Sequence, residues 1–486
     1  MRDAVRGVGW AFLSSTTVRV LQVITTLVLA KLLMPADFGV FTLCTFTINA
    51  VAIFRDVGFA QVLIYQRGDI TRSANTAFTL NVMSSTVLGL LLFASAPVMG
   101  WAFNTTSIIS PVRAMSAAFL VSGAANVPLA LLDREIKFKR RAIPEVASAL
   151  AYAAASIGLA ASGYGAWSLV IAWIIMTVVN TVSIWMVSSW RPRLEFDRRE
   201  AGVIVGYGKH LMIASLAVFA FFQIDNASVG KWLGVTALGF YSMAFTVCNL
   251  PATNLAHVVN RVMFPTYSRL QGDLSEMRRV YLRTIRYISM AAFPAAIGIL
   301  VLAGPAVRAF YGEKWLPAIP IFNVLAFYGL VRSIGSTAGA VFMSTGNPGL
   351  VRRVSFLQLL IVVPLIYTVT HRFGTVGVAF LFTTAYIAGT IYSLGRVRQI
   401  LGIELRRYVG AVSLSLAASV LAGMCGWAAC MGAGSASWRG VLAGGMVFVS
   451  IYGASLFLMD RATYSEFLGI LRKSRSGGEA IGEVRS

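Results

Sequence analysis

What most constrains this chain is the length of its apolar runs. From about residue 9 to residue 459, one stretch of some twenty or more mostly apolar residues follows another. About twenty residues is the helix length that crosses roughly 30 Å of hydrocarbon. Inside lipid every backbone group has to be satisfied internally, which only helices and closed barrels achieve. Barrel strands are about ten residues long and alternate in polarity, whereas these runs are longer and do not alternate. The expected fold class is an all-α polytopic membrane protein. Composition agrees, since 57% of residues are apolar and 12% are charged, with a mean hydropathy of +0.74. A soluble domain carries about 25% charged residues, and the deficit here is spread along the whole chain.

The apolar runs predict fourteen spans, near residues 9–33, 38–65, 73–102, 110–132, 142–162, 165–189, 203–232, 236–260, 282–303, 317–345, 350–370, 375–395, 408–431 and 438–459. Basic residues test that assignment. With a cytoplasmic N-terminus, thirty of the 41 Lys and Arg fall in cytoplasmic segments and seven on the opposite side. The thirty include the loop "DREIKFKRR", the pair Arg352-Arg353 and the tail beyond residue 460. Such a bias is the positive-inside signature, so both termini are expected in the cytoplasm. The net charge of +22 then reads as topology plus attraction to anionic headgroups, not as nucleic-acid binding. The basic start of the chain leads into a segment too long and too polar for a signal-peptide core, so it reads as a retained first helix.

Several function classes lose support. Cys44, Cys248, Cys425 and Cys430 lie in apolar runs, and His210, His257 and His371 are scattered, so no metal site is legible. No GxxxxGK[ST] loop occurs, so no nucleotide-driven pump is expected and transport would be secondary or downhill. No cofactor is predicted. The loops on the outer side are short, unlike the long outer catalytic loop of many membrane glycan polymerases and ligases.

The chain also repeats itself. "ADFGVFTLCTFTIN" ends at Asn49 and "TALGFYSMAFTVCN" at Asn249, an offset of 200 that aligns Gly39 with Gly239 and Lys31 with Lys231. Arg140-Arg141 and Arg352-Arg353 each precede a span at an offset of 212, and "GYGAWSL" resembles "GTVGVAF", with Gly165 facing Gly377 at that offset. These matches predict two six-helix lobes, 1–200 and 201–400, followed by two additional spans at 401–460 and a basic tail at 461–486. Six spans per lobe give both lobes the same orientation, as in parallel-repeat transporters.

Four basic residues fall inside spans: Arg19, Arg55, Lys209 and Arg332. Asp56 and Asp225 are the acidic ones, and Gln22, Asn49, Gln223, Asn226 and Asn249 are polar companions. Ionisable groups at membrane depth usually face the bundle interior or a water-filled cavity, because facing lipid costs several kcal/mol. Arg19, Gln22 and Thr26 share one helical face, and Asn49 and Asp56 share another. Arg55 points about 100° away from Asp56, so the two need not pair. Structural roles stand beside the functional ones: Lys209 can snorkel toward the cytoplasm, and Asp56 can neutralise an arginine between helices. A cavity with excess cations suits anions. Arginine suits phosphate above all, because its planar guanidinium binds bidentately and stays charged.

The fragments "LLMPADFGVFTL", "FRDVGFAQVLIYQ", "NTAFTLNV", "LLDREIKFKRRAIPEV" and "GYGAWSLV", with looser matches at "GFYSMAF" and "FPTYSRLQGD", resemble the polysaccharide flippases of the multidrug/oligosaccharidyl-lipid/polysaccharide exporter superfamily. The resemblance implies two six-helix lobes around a cavity, often with two additional helices. It implies movement of an undecaprenyl-pyrophosphate-linked oligosaccharide from the cytoplasmic to the periplasmic leaflet of a bacterial inner membrane, without covalent chemistry. It carries a pyrophosphate-binding role to Arg19, Arg55 and Arg332, with Asp56 and Asp225 balancing charge or carrying a coupling proton. Gln22, Asn49, Gln223, Asn226 and Asn249 would line the cavity. Membrane lipids, a polymerase and chain-length proteins are the expected partners. Two other readings stay open: a multidrug exporter of the same superfamily, which a cationic cavity disfavours, and a glycan polymerase or ligase.

Overall fold

The computed structural model describes residues 2–55, 63, 70–135, 138–193, 195–258, 263–434 and 437–459. The described residues form helices and no strand. In chain order these are α1 (Arg2–Leu32), α2 (Pro35–Arg55), α3 (Thr71–Ala102), α4 (Ile109–Gly123), α5 (Asn126–Arg134), α6 (Phe138–Ala161), α7 (Ala166–Val187) and α8 (Arg198–Trp232). They continue with α9 (Gly234–Val258), α10 (Phe264–Arg269), α11 (Leu274–Ala306), α12 (Ile319–Ser344), α13 (Gly349–Leu401), α14 (Leu405–Gly432) and α15 (Trp438–Met459).

Among the described residues, eleven helices are long and apolar enough to cross a membrane, or twelve when α4 and α5 count as one bent span. The sequence expectation was fourteen, and two breaks bear on the difference. The fourth expected span bends by 42° between Gly123 and Asn126. Pro128, in the first turn of α5, has no N–H to donate back across that break. The eleventh and twelfth expected spans run together as α13, whose 53 residues would be about 80 Å long if straight. Gly374 interrupts them with φ 59° and ψ −151°, a region that glycine enters without strain. The Gln358 side chain lies against Gly389, so the two stretches of α13 fold back on one another.

Gly165, just before α7, has nearly the same backbone, φ 54° and ψ −134°. By conformation, then, Gly165 corresponds to Gly374 and not to Gly377, which is helical and buried. The sequence match at an offset of 212 is displaced by three residues there.

The chain divides into two compact units, Met1–Gly239 and Phe240–Gly469. In the first, α1 packs on α6, α6 on α7, α3 on α4 and α2 on α8. In the second, α14 packs on α15 and on α11, and α12 packs on α11 and α13. Side chains are sorted as lipid demands. Along α3 the buried residues are Ser73, Ala74, Asn75, Thr76, Ala77, Asn81, Ser85 and Gly89, while Leu90, Leu91 and Phe93 are exposed. Small and polar residues let helix backbones approach and bond, and bulky apolar residues face the tails.

The tightest approach joins the repeated glycines. Within the first unit, a Cβ added to Gly39 would fall on the Val235 carbonyl oxygen, and one added to Gly239 would fall on the Pro35 carbonyl oxygen. Val235 lies 200 residues after Pro35, so each copy of the repeat offers its glycine to the other copy's carbonyl.

The segment before α8 is fastened to the start of α3. Asn75 Nδ2 donates to Glu195 Oε2 at 3.0 Å and Asn75 Oδ1 accepts from the Arg193 N–H at 3.2 Å. The Asp197 N–H donates to Thr76 Oγ1 at 3.2 Å, and Ser73 Oγ donates to Glu200 Oε2 at 2.7 Å. These bonds give the fragment "NTAF" a structural reason. Asp197 also caps α8, its Oδ1 accepting from the N–H groups of Arg199 at 2.8 Å and Glu200 at 3.3 Å. Losing such a cap costs about 1 kcal/mol. Asp197→Ala is therefore expected to lower the unfolding midpoint of the detergent-solubilised protein by a few degrees, while Asp197→Asn, which still accepts, stays within about one degree of the parent in the same thermal-shift measurement.

The fragment "FPTYSRLQGD" has a comparable role in the second unit. Tyr267 is fully buried and its hydroxyl donates to Thr284 Oγ1 at 3.2 Å. Gln271 donates to the Ser344 carbonyl. Asp273 caps α11, and the hydroxyl of Ser275 and the N–H groups of Glu276 and Ser275 hold its carboxyl below the usual carboxylate range.

Candidate functional site

The polar residues that interrupt the spans form separate groups in the two units. In the first unit, Arg19 lies half-buried on α1. It has no hydrogen-bond or ionic partner among the described residues. Gln22, one turn on, is exposed, and its carbonyl accepts from the Thr26 hydroxyl at 2.8 Å. Asn49 on α2 is also exposed. Polar side chains left open at membrane depth are expensive against lipid, so each of these positions suits water or a polar ligand better than an acyl chain.

Arg55 sits differently. It is 8% exposed, its Nη1 donates to Ser122 Oγ at 2.5 Å, and its Cζ lies 4.5 Å from the centroid of the Phe119 ring. Ser122 Oγ in turn donates to the Phe119 carbonyl at 2.8 Å. A guanidinium over a ring face, desolvated by burial, is attracted by about 2 kcal/mol. This contact ties the end of α2 to α4, at the turn that precedes the 42° bend. Asp56 lies outside the described residues, as does the side chain of Lys209.

On α8, Gln223 and Asn226 bond to each other, Asn226 Nδ2 donating to Gln223 Oε1 at 2.9 Å. Asp225 is 1% exposed, and its Oδ1 accepts from the Asn226 N–H at 2.8 Å. Phe221 and Phe222 stack edge-on beside them, with ring centroids 5.4 Å apart. The Asn226 Oδ1 is buried and has no hydrogen-bond partner among the described residues. An acceptor left unmade inside a protein costs about 1–3 kcal/mol, which marks this turn of α8 as one not built for stability alone.

The second unit holds the best-organised group. Arg332 Nη1 donates to Asn249 Oδ1 at 2.8 Å and to the Tyr328 hydroxyl at 3.3 Å. Arg332 and Asn249 are both half-buried. Two of the guanidinium's partners are thus neutral oxygens, which fix its orientation. Around them Tyr328 meets Tyr386 edge-on with centroids 4.7 Å apart, Phe245 lies 5.4 Å from Tyr328, and Tyr241 stacks on Phe245 at 6.1 Å. The group is a cation held by Asn249 and Tyr328 beside a cluster of mostly buried aromatic rings.

The structure thus joins two sequence-predicted residues at Arg332–Asn249 and two more at Gln223–Asn226. In the first unit it leaves Arg19 half-buried and Gln22 and Asn49 exposed, and it seats Arg55 against Phe119 and Ser122. Tyr328, Tyr386, Phe245, Phe119 and Ser122 were not singled out from sequence. Among the described residues no group of His, Cys, Asp or Glu has the geometry to hold a metal ion.

Known proteins resemble this chain in sequence and in fold. The family described as "Polysaccharide biosynthesis protein" matches residues 28–320. The chain is 25% identical to the teichuronic acid biosynthesis protein TuaB of Bacillus subtilis, covering 72% of this chain and 73% of that protein. It is 24% identical to the lipopolysaccharide biosynthesis protein WzxC of Escherichia coli, covering 83% of each. In three dimensions it resembles the lipid II flippase MurJ in its inward closed conformation, with a TM-score of 0.77 at 14% identity over 93% of this chain and 98% of that one. The fold is therefore the multi-pass helical bundle of that structure, and the family match covers more than half of the sequence. By that match, this chain belongs to the polysaccharide biosynthesis protein family.

Proposed function

We propose that this protein is a flippase that moves an undecaprenyl-pyrophosphate-linked oligosaccharide from the cytoplasmic to the periplasmic leaflet of a bacterial inner membrane, for assembly of an exopolysaccharide, capsule or lipopolysaccharide. The observation that carries this reading is Arg19, a half-buried arginine at membrane depth with no partner among the described residues. A guanidinium in that position needs a counter-charge, and a pyrophosphate supplies two. In the second unit, Arg332, oriented by Asn249 and Tyr328, is proposed as a phosphate-binding cation in its own right. Gln22, Asn49, Asn249 and the α8 group of Gln223, Asp225 and Asn226 offer hydrogen bonds to sugar hydroxyls, and Asp225 is the candidate for balancing charge or carrying a proton. No covalent step is required, since the substrate only changes leaflet. A polymerase and chain-length proteins would then consume the product.

Both termini are cytoplasmic in this reading, supported by the thirty-to-seven partition of basic residues. The bonds that join the start of α3 to the segment before α8 agree with placing those two segments on one membrane face. Fourteen spans, in two six-helix lobes plus two, are supported by the break at Gly374 and by α8 standing at the seventh expected span.

Reconstitution tests the proposal. Purified protein in liposomes carrying a fluorescent pyrophosphate-linked oligosaccharide lipid is expected to expose the inner-leaflet half of the label to a membrane-impermeant quencher within minutes. Liposomes without protein should hold that half protected for hours. Equal protection in both would end this reading.

A further inference from the structure

A second cationic group lies away from the candidate site residues, and what it binds is independent of the flippase reading. The two ends of α13 stand side by side because the helix folds back at Gly374. Between them is a cavity of about 440 Å³ lined by Arg352, Arg353, Phe356, Leu357, Leu360 and Tyr392. Arg396 completes its polar rim, with its Nε 3.4 Å from the Tyr392 hydroxyl and its guanidinium 5.6 Å from the centre of that ring. Arg396 Nη1 donates to Gln399 Oε1 at 2.7 Å. These partners are again neutral.

A comparison inside the molecule shows what is missing. In the first unit the pair Arg140-Arg141 also precedes a span, but there Arg141 bonds to Asp133 and to Glu145, the latter at 3.1 Å. Arg352 and Arg353 form no ion pair among the described residues. Three arginines therefore gather at one rim without a carboxylate.

The groove below that rim is apolar and open. Phe356, Leu360, Val363 and Tyr367 follow one another at helical spacing and are 53–66% exposed. Gln358, Val362, Ile366 and Thr370 on the opposite face are buried. In the topology expected from the basic residues, such a stripe meets lipid tails and its arginines lie on the cytoplasmic side, where basic residues meet anionic headgroups.

We propose that this groove is a binding site for one anionic glycerophospholipid of the cytoplasmic leaflet. Its phosphate sits among Arg352, Arg353 and Arg396, its glycerol region meets the Tyr392 hydroxyl, and an acyl chain runs along Phe356, Leu360 and Val363. A free phosphate would leave the apolar stripe unused. A zwitterionic lipid would bring its own cation to a rim of three.

Native mass spectrometry of the full chain in detergent, with equal phosphatidylglycerol and phosphatidylcholine added, tests this. The parent protein is expected to retain phosphatidylglycerol at least fivefold over phosphatidylcholine. Changing Arg352, Arg353 and Arg396 together to Gln should erase that preference, while changing Arg279, Arg406 and Arg407 to Gln, the same loss of charge elsewhere, should keep it. Leu360→Trp fills the groove with all three arginines in place and is expected to lower retention at least threefold, which covers the case of a triple variant that does not fold. Equal loss in both triple variants would mean nonspecific charge attraction and would overturn the proposal. Equal retention of the two lipids, or displacement of phosphatidylglycerol by equimolar undecaprenyl pyrophosphate, would overturn it as well.

Discussion

Gly39→Ala is expected to remove most of the folded protein from the membrane. The added methyl would land on the Val235 carbonyl oxygen, which is backbone, so no rotamer change relieves the clash. Forcing volume into a packed contact costs about 1–3 kcal/mol when side chains can yield, and here α2 has to move off the start of α9. The same holds at Gly239, against the Pro35 carbonyl oxygen. Gly158 is the control, because a Cβ there meets nothing within 4 Å and alanine is the better helix former. Fluorescence-detected size exclusion of tagged variants should show Gly39→Ala at less than a fifth of parental abundance and Gly158→Ala at or above it. An unchanged monodisperse peak for Gly39→Ala would mean the two backbones do not approach as described.

Arg19→Ala is expected to lower flipping at least tenfold with abundance within about a fifth of the parent. Nothing among the described residues loses a partner when Arg19 is truncated, so stability has little reason to change. A charge that meets the substrate's phosphates is worth about tenfold or more, since charge-assisted hydrogen bonds contribute about 1.5–3 kcal/mol each. Arg55→Ala should behave otherwise. It leaves Ser122 and the Phe119 face without their cation and loosens α2 from α4, so abundance and transport are expected to fall together. The two variants compared in one assay separate a ligand from a helix clamp. If Arg19→Ala transports at the parental rate, Arg19 is no phosphate ligand and the proposed function loses the observation that carries it.

The helical class was legible because runs of twenty apolar residues admit few alternatives. The polar interruptions were legible for the opposite reason: Arg332 and Asn249 each stood out against an apolar background, and the structure bonds them. Their aromatic surroundings were hidden, because Tyr328, Tyr386 and Phe245 are ordinary members of an apolar run. Arg55 was visible, but Phe119 and Ser122 are 64 and 67 residues further on and carry no mark. The glycine repeat was visible as a pattern, while its cause, two backbones in contact, required coordinates. The displaced match near Gly374 shows the same limit. Similar letters aligned Gly165 with Gly377, whereas the left-handed backbone belongs to Gly374.

The bonds between the start of α3 and the segment before α8 also set an order of events during synthesis. Asn75 emerges about 120 residues before Glu195, so for most of that interval its amide and the Thr76 hydroxyl have only water or passing neighbours. They acquire their partners when the chain past α7 leaves the ribosome. From then on α3 through α7 are enclosed by a stitch between the two ends of that stretch. The stretch α3–α7 can thus close before the second copy of the repeat has been made, which limits the wrong helix pairings open to two similar sequences.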